Sequence, residues 1–259
     1  MSDLDHVLWI GGPSGAGKSC IARQLVRRWG LRLYASDTRT WEHRDRAIAA
    51  GVEPAVRWEA LTPAERDALT EAEHRELEAI PERQAMVVDD VAALPRSPLV
   101  LAEGTLVPAD VADPARSVWL VPSRDFQARH RGDAERRTEP MDVIVAAANE
   151  RGIPMVVVDG SRSVAEIAFE VEVRLADRLR AGPTAMTIAE RRALLREANL
   201  DVVRQIRAGC ARSWATADPE VQVRTFTCEC GDRACQADVD ATVGAAAASP
   251  VIARGHAPI

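Results

Sequence analysis

The sequence predicts an α/β fold, a three-layer sandwich in which helices cover both faces of a five-stranded parallel sheet, followed by a small α+β module. Short apolar runs alternate with longer amphipathic stretches as far as residue 182, as repeated strand and helix units require. Beyond Gly182-Pro183 the pattern changes, and cysteines crowd near the end of the chain. We therefore expect one domain over residues 1–182 and a small module over residues 183–259.

The apolar runs predict the positions of the strands. They are expected at residues 7–10, 31–35, 99–102, 117–121 and 153–158. The stretch after the first run predicts a helix over residues 18–29, with Ile21, Leu25 and Trp29 on one face. Gly30 then supplies the residue that commonly ends a helix.

Capping boxes mark the starts of further helices. Each pairs a Thr or Ser at the N-cap with a Glu three residues later, and the N-cap residues are Thr62, Ser163 and Thr187. The first opens a helical region that reaches residue 94, with a break expected at Pro81. The second helix is expected to end at Gly182, and the third near residue 208.

The composition limits the classes of partner. Hydrophobic residues make up 47% of the chain, charged residues 28%, and the formal net charge is −6. An acidic chain is not expected to bind nucleic acid, because such binding rests on neutralising phosphates with a basic surface. No apolar run approaches the roughly 18 residues of a membrane span, and the acidic start does not resemble a signal peptide. We therefore expect a cytoplasmic protein.

A phosphate-binding loop is the most specific motif in the sequence. Its residues, which match the pattern G-x-x-x-x-G-K-[ST], are Gly12, Pro13, Ser14, Gly15, Ala16, Gly17, Lys18 and Ser19. Lys18 is the only lysine, although Lys and Arg together number 33. An ammonium is a compact point charge that can reach the phosphates beside a tightly wrapped backbone. The motif predicts bound ATP, with Lys18 on the β- and γ-phosphates and Ser19 on Mg²⁺. The alternative is a glycine-rich turn that matches by chance.

Two carboxylates follow neighbouring predicted strands. Asp37 comes after the second strand and Glu103 after the third, at the edge of a parallel sheet where ligands gather. One carboxylate would hold Mg²⁺, directly or through water, and the other would orient and deprotonate an attacking hydroxyl. We assign the base to Asp37 and the nucleotide side to Glu103. The alternative for each is a turn residue at a strand end.

A dense arginine segment follows the fourth predicted strand and runs from Arg124 to Arg137. Arginines that close over a transferring phosphoryl group stabilise its charge, so this segment is a candidate lid, with Arg129 and Arg131 as catalytic candidates. The alternative is a solvated helix face whose arginines pair with neighbouring acidic residues.

The order of these features resembles the P-loop kinase family of the nucleoside monophosphate kinase type. Within it the chain looks like small-molecule O-kinases such as chloramphenicol phosphotransferase and shikimate kinase. The resemblance covers residues 1–182 and implies the P-loop NTPase fold, ATP with Mg²⁺, and a small-molecule acceptor. It also implies that the phosphate loop binds nucleotide and that Asp37 is the base. The chain departs from the family pattern at Ala102-Glu103, which stands in place of an Asp-rich strand end.

The module after residue 182 carries a candidate metal site. Cys228, Cys230 and Cys235 have the spacing C-x-C-x₄-C, and His256 could complete a tetrahedral zinc site, which would be structural because no position stays open. The block resembles a short cysteine module found on uncharacterised actinobacterial proteins. The alternatives are free cysteines or a redox pair.

The predicted function is ATP-dependent transfer of a phosphoryl group to a hydroxyl or phosphate of a small molecule. Arg39, Arg44 and Arg46 are candidates to bind a monophosphate acceptor. The alternative is a nucleotide-dependent switch or sensor whose cysteine module docks a protein partner. His43 and the other histidines outside the cysteine block, His6 and His74, are expected at the surface or on helix faces.

Overall fold

The computed structural model describes residues 4–130 and 141–256. A five-stranded parallel sheet forms its centre, in the order β2-β3-β1-β4-β5. Its strands are β1 (Val7–Gly11), β2 (Arg32–Ala35), β3 (Val100–Glu103), β4 (Ser117–Pro122) and β5 (Met155–Val158). The predicted α/β class and all the predicted strands are confirmed.

Helices connect the strands and cover both faces of the sheet. In chain order they are α1 (Lys18–Trp29), α2 (Thr40–Ala49), α3 (Glu53–Ala60), α4 (Pro63–Asp67), α5 (Glu71–Leu77), α6 (Ile80–Ala93), α7 (Arg124–His130), α8 (Met141–Glu150), α9 (Val164–Arg174) and α10 (Ala176–Ala181). Short 3₁₀ turns occupy Ser36–Arg39 and Pro114–Arg116. Of the helices in the described ranges, none is both long and apolar enough to cross a bilayer.

Two hydrophobic cores lie on opposite faces of the sheet. One is built around Leu25 of α1 and Val171 of α9, which pack on Ile10. The other is built around Val87 of α6 and Ala148 of α8. Alternate residues of the central strands enter opposite cores, so both faces are buried and the architecture is a three-layer sandwich.

The helical region after Thr62 is more broken than the sequence predicted. The capping boxes at Thr62, Ser163 and Thr187 are all present, but a further box at Thr70 starts a separate helix and ends the first one early. The predicted break at Pro81 occurs just before it, at Ala79, which has the left-handed φ of 48°. Proline at the start of α6 is favourable, because its missing N–H has no intrahelical partner there.

The last part of the described chain contains one long helix and a small antiparallel hairpin. Its elements are α11 (Ile188–Cys210), β6 (Val223–Thr227), β7 (Asp238–Thr242) and α12 (Val243–Ala248). Helix α11 packs beside β2 and α2 and adds Leu195 to the core that contains α1. Arg191 of this helix is buried and donates to the carbonyl oxygen of Arg27 at 3.1 Å.

Candidate functional site

The glycines of the phosphate loop allow the backbone to turn tightly beside the sheet. At Gly12 φ is 120°, and a Cβ would stand 2.1 Å from the carbonyl oxygen of Leu120, so only glycine fits. Gly17 precedes α1 in the left-handed conformation, with φ of 76°. It provides no side-chain cap, and the first turn of α1 has no acidic residue. The free amides of this helix start are therefore oriented to bind an anion.

Lys18 lies inside the loop. Its side chain is only 6% exposed, and Nζ donates to the carbonyl oxygen of Pro13 at 2.8 Å and to Oγ1 of Thr105 at 3.3 Å. The Thr105 hydroxyl is also 3.2 Å from Oγ of Ser14. Thr105 thus joins the loop to the end of β3, a role that no sequence motif indicated.

Glu103 ends β3 between the ends of β1 and β2, where it pairs in register with Ile10 and Ala35. Burial and the nearby charge of Asp37 raise the pKa of the Glu103 carboxyl to about 7, although Lys18, a hydrogen bond from Ser19 and the charge of Arg23 oppose the shift. Its Oε2 atom is buried and has no hydrogen-bond partner among the residues that the structure describes. A buried carboxylate oxygen without a donor fits a site that a cation completes.

Asp37 is exposed in the 3₁₀ turn that directly follows β2. The preceding Ser36 is fully buried, and its hydroxyl finds no hydrogen-bond partner in the described part of the chain. Asp37 lines the same cleft as the loop, and Glu103 accepts a hydrogen bond from Ser19, so both carboxylates lie beside the loop. The donor set is all oxygen, which suits Mg²⁺, and the helix start beside it suits phosphate.

A cleft of about 600 Å³ opens beside the phosphate loop. The loop contributes Ser14, Lys18 and Ser19 to one wall, and the 3₁₀ turn contributes Asp37. The opposite wall comes from α2, α3, α6 and the residue that follows α5. It consists of Thr40, Trp41, Arg44, Trp58, Glu78, Ile80 and Arg83. The cleft is large enough for a small molecule next to the phosphates of a nucleotide.

Two buried arginines on the far wall share one carboxylate. Nη2 of Arg44 is 3.6 Å from Oε1 of Glu78, and Nη1 of Arg83 is 2.5 Å from Oε2 of the same residue. The Nε and Nη1 atoms of Arg44 and the Nε atom of Arg83 are buried with no hydrogen-bond partner within residues 4–130 and 141–256. Burial lowers the pKa of Arg44 to about 10, so its guanidinium group stays charged at neutral pH. This wall carries an excess of positive charge.

Trp58 contacts Arg44 of this wall and Arg66 of α4. The guanidinium carbon of Arg44 lies 4.6 Å from the centre of its ring, and that of Arg66 lies 5.1 Å from it. Such stacking orients a planar guanidinium and partly offsets its burial. Of this wall the sequence had singled out only Arg44, because no local motif marks Trp58, Glu78 or Arg83.

A polar network fixes α2 and α6 against β2. His43 is fully buried and its Nε2 atom is 2.8 Å from Oδ2 of Asp90, which also accepts a hydrogen bond from the Tyr34 hydroxyl at 2.8 Å. Arg46 of α2 forms an ion pair with the same carboxylate. Burial opposes the charge of Asp90, but these hydrogen bonds outweigh it and lower the pKa to about 2. The expectation of surface positions is wrong for His43, His74 and His6, which are all buried, although His43 and His74 do lie on helices, α2 and α5.

The arginine segment is only partly described. Arg124 forms an exposed ion pair with Asp142 at 2.9 Å. Arg129 is exposed, and its Nη2 donates to the carbonyl oxygen of Asp159 at 3.5 Å. Arg131, the other predicted catalytic arginine, lies outside the described residues.

The cysteine block and the chain end converge in a Cys₃His cluster. One ligand atom from each of Cys228, Cys230, Cys235 and His256 lies within 4.8 Å of every other. Nδ1 of His256 is 3.5 Å from Sγ of Cys228 and 3.6 Å from Sγ of Cys235. All three cysteines are buried, and none of them forms a disulfide. The backbone N–H of Ala253 also donates to Sγ of Cys228 at 3.2 Å, which positions that sulfur.

The chain was compared with known proteins. No family model and no curated protein matches it. Among solved structures it is similar to shikimate kinase from Aquifex aeolicus, with 17% identity and a TM-score of 0.34 over 68% of this chain and 99% of that one.

Proposed function

We propose that the protein is an ATP-dependent phosphotransferase whose acceptor is a small molecule that carries both a hydroxyl and an anionic group. The observation that carries the proposal is the cleft, which joins the phosphate loop, Asp37 and the Arg44–Arg83 wall in one space. A nucleotide-dependent switch needs no second pocket beside its phosphates. The cleft therefore favours transfer to an acceptor.

Each of these residues would have a separate role in phosphoryl transfer. The amides at the start of α1 and the ammonium of Lys18 bind the phosphates, and Ser19 with Glu103 would hold the magnesium ion. When bound, Mg·ATP supplies the γ-phosphoryl group and offsets its negative charge. Asp37 would accept the proton of the acceptor hydroxyl as that oxygen attacks. Thr105 keeps Lys18 and the loop in register with the strand ends.

The far wall supports an anionic acceptor. Arg44 and Arg83 together carry two positive charges against the single charge of Glu78, and their unpartnered N–H groups are buried. A buried donor without a partner costs free energy, which a phosphate or carboxylate of the acceptor would recover. Trp41 and Trp58 add apolar surface to the same cleft.

A screen of acceptors tests the proposal. Purified protein with Mg·ATP is offered small molecules that combine a hydroxyl with a phosphate or carboxylate, and ADP formation is measured. We expect at least one acceptor of this class to stimulate ADP formation, and the stimulation to disappear in Lys18→Ala. A matched set of neutral polyols is the control. Stimulation by the neutral set alone, or by nothing in either set, would contradict the proposal.

The arginine wall gives a second test with the acceptor so found. Arg83→Gln and Arg44→Gln should each raise the KM for the acceptor by about 10- to 100-fold, the worth of a charge-assisted hydrogen bond. The KM for ATP should stay near the wild-type value. Arg57→Gln is the matched control, because Arg57 is exposed on α3 and pairs with Glu53 and Glu76 outside the cleft.

We also propose that the Cys₃His cluster holds one structural zinc ion. Zinc bonds of about 2.3 Å to sulfur and 2.0–2.1 Å to nitrogen put a tetrahedral S–N pair about 3.6 Å apart, which the His256 distances match. Protein purified without chelator should contain about one zinc per chain by elemental analysis. A folded chain without metal would contradict this.

A further inference from the structure

Glu229 lies in the sequence between Cys228 and Cys230, two ligands of the proposed zinc site, but its side chain contacts α11. Its side chain is 2% exposed. The carboxylate accepts a hydrogen bond from Nδ2 of Asn199 at 2.7 Å and lies 3.4 Å from Nη1 of Arg196. Its backbone N–H donates to the carbonyl oxygen of Val251, near the chain end that supplies His256. Residues 228–235, which carry the three cysteine ligands and are called the metal loop below, are thereby bonded to α11.

Asn199 carries the connection from the metal loop to β6. Besides its bond to Glu229, it donates to the carbonyl oxygen of Thr227 at 2.8 Å and accepts from the Thr227 N–H at 3.0 Å. It is 3% exposed, so these bonds are shielded from water. A second contact comes from Gly231, where a Cβ would stand 2.8 Å from the carbonyl oxygen of Ile188 at the start of α11. The loop therefore packs closely against the helix.

The same helix reaches the candidate active site. Asp201 is buried, and its Oδ1 is 2.8 Å from Nη2 of Arg39, which closes the 3₁₀ turn that contains Asp37. A small cavity of about 120 Å³ lies between α11 and the candidate active site. Its lining includes Ser19, Asp37 and Glu103 of that site, together with Asn199 and Asp201 of α11 and Thr227 of β6.

A second connection runs directly to the helix that follows the phosphate loop. Arg27 of α1 is buried and donates to the carbonyl oxygen of Ala237 at 2.8 Å and to Oδ1 of Asp238 at 3.0 Å. Ala237 in turn accepts from the N–H of Cys228, a proposed zinc ligand. The metal loop thus contacts α11 and is bonded through Ala237 to α1, the helix that carries Lys18 and Ser19.

We propose that zinc in the Cys₃His site and Mg-nucleotide in the phosphate loop bind cooperatively, coupled through Glu229, Asn199 and the Asp201–Arg39 pair. This rests on the zinc site and the nucleotide site proposed above. Without the metal, the loop loses its crosslink, and α11 no longer holds the Asp37 turn in one arrangement. Nucleotide binding must then also order that turn, and the conformational entropy lost in doing so weakens binding. By reciprocity, bound nucleotide raises the affinity for zinc by the same factor.

The experiment uses the full chain loaded with zinc. Its zinc affinity is measured by competition with 1,10-phenanthroline, which binds Mg²⁺ poorly, with and without saturating Mg·ADP. We expect about a tenfold higher zinc affinity in the presence of Mg·ADP, a typical coupling between sites. Equal affinities within twofold would overturn the coupling. A chain that purifies without zinc would instead refute the metal site, and one that does not bind Mg·ADP would refute the nucleotide site.

A variant that keeps every zinc ligand tests the path. Asp201→Asn should still bind one zinc, but Mg·ADP should then change its zinc affinity much less than in the wild type. The matched control is Glu197→Gln, because Glu197 lies on the same helix but pairs with Arg32 at the sheet edge. If Asp201→Asn keeps the full tenfold effect, the proposed path is wrong.

Discussion

The backbone of Gly104 lies against the hydroxyl of Ser36, so close that a Cβ built on Gly104 would stand 1.8 Å from Ser36 Oγ. This contact joins the end of β3 to the turn after β2. It brings Glu103 and Asp37, the residues next to this pair, to adjacent strand ends. The separation of the two carboxylates thus depends on a residue with no side chain.

Replacing Gly104 by alanine should therefore damage both stability and the site. Ser36 is too short to move aside, and φ at Gly104 is 141°, so we expect a loss of about 2–5 kcal/mol in the free energy of unfolding. Affinity for Mg·ADP should fall as well. Urea unfolding and calorimetry measure the two effects.

Gly51→Ala is the matched control. Gly51 also has positive φ, at 72°, but a Cβ there meets nothing within 4 Å. It should cost about 1 kcal/mol from backbone strain alone and leave Mg·ADP binding unchanged. Similar losses in both variants would show that the Ser36 contact has no special weight.

Nucleotide binding should depend on Lys18. At 100 times its Kd, Mg·ATP should stabilise the wild type by about 2.7 kcal/mol, seen as a higher Tm, and should hardly stabilise Lys18→Ala. Arg28→Ala is the control, because Arg28 is exposed on the same helix and pairs with Glu172. An equal rise of Tm in Lys18→Ala would contradict the assignment of the phosphate loop.

Glu103 should make stability depend on pH when magnesium is absent. Its pKa is raised from 4.5 to about 7, chiefly by burial and then by Asp37, so the folded chain binds this proton more tightly than the unfolded chain. The contribution is fully present below pH 4.5 and is lost as pH rises through 7. Over this window the wild type should lose about 3 kcal/mol relative to Glu103→Gln.

Urea unfolding of the two proteins between pH 4 and pH 8 checks this, and the difference cancels the other titrating groups. Parallel profiles would show that Glu103 is ionised in the folded chain. As an independent check, Mg·ADP added at about pH 6 should release a proton from the wild type but not from Glu103→Gln, since a bound cation favours the carboxylate.

Asp37→Asn should cut turnover with the acceptor by about 10²-fold while ATP affinity stays nearly intact, because a base acts mainly in the transition state. Steady-state kinetics and ATP titration separate these effects. Glu42→Gln is the control, since Glu42 is exposed nearby and pairs with Arg39. Near-normal turnover in Asp37→Asn would make Glu103 the better candidate for the base.

The features that the sequence predicted are those set by neighbours in the chain. Apolar runs indicated the strands, and Thr or Ser followed by Glu three residues later indicated helix starts at Thr62, Ser163 and Thr187. The loop motif indicated Lys18, and the end of the second strand indicated Asp37. The two residues line one cleft. The box at Thr70 has the same pattern as the others and could have been found in the same way.

The far wall of the cleft and the contacts around it could not be predicted, because the residues that meet there are distant in sequence. His43 is buried through a bond to Asp90, which is 47 residues away. Asp201 meets Arg39 only because α11 returns to the edge of β2. No periodicity or spacing within one segment reports such contacts, since they follow from the tertiary packing of several helices.

The scarcity of lysine turns the phosphate loop into a chemical reporter. Apart from the α-amino group, Lys18 is the single primary amine of a chain that otherwise uses arginine for positive charge. Because its side chain is 6% exposed and bonded to Pro13 and Thr105, an amine-directed acylating reagent should modify it slowly. Bound nucleotide should slow the reaction further, so one mass increment in intact-protein spectrometry would read out occupancy without any engineered label.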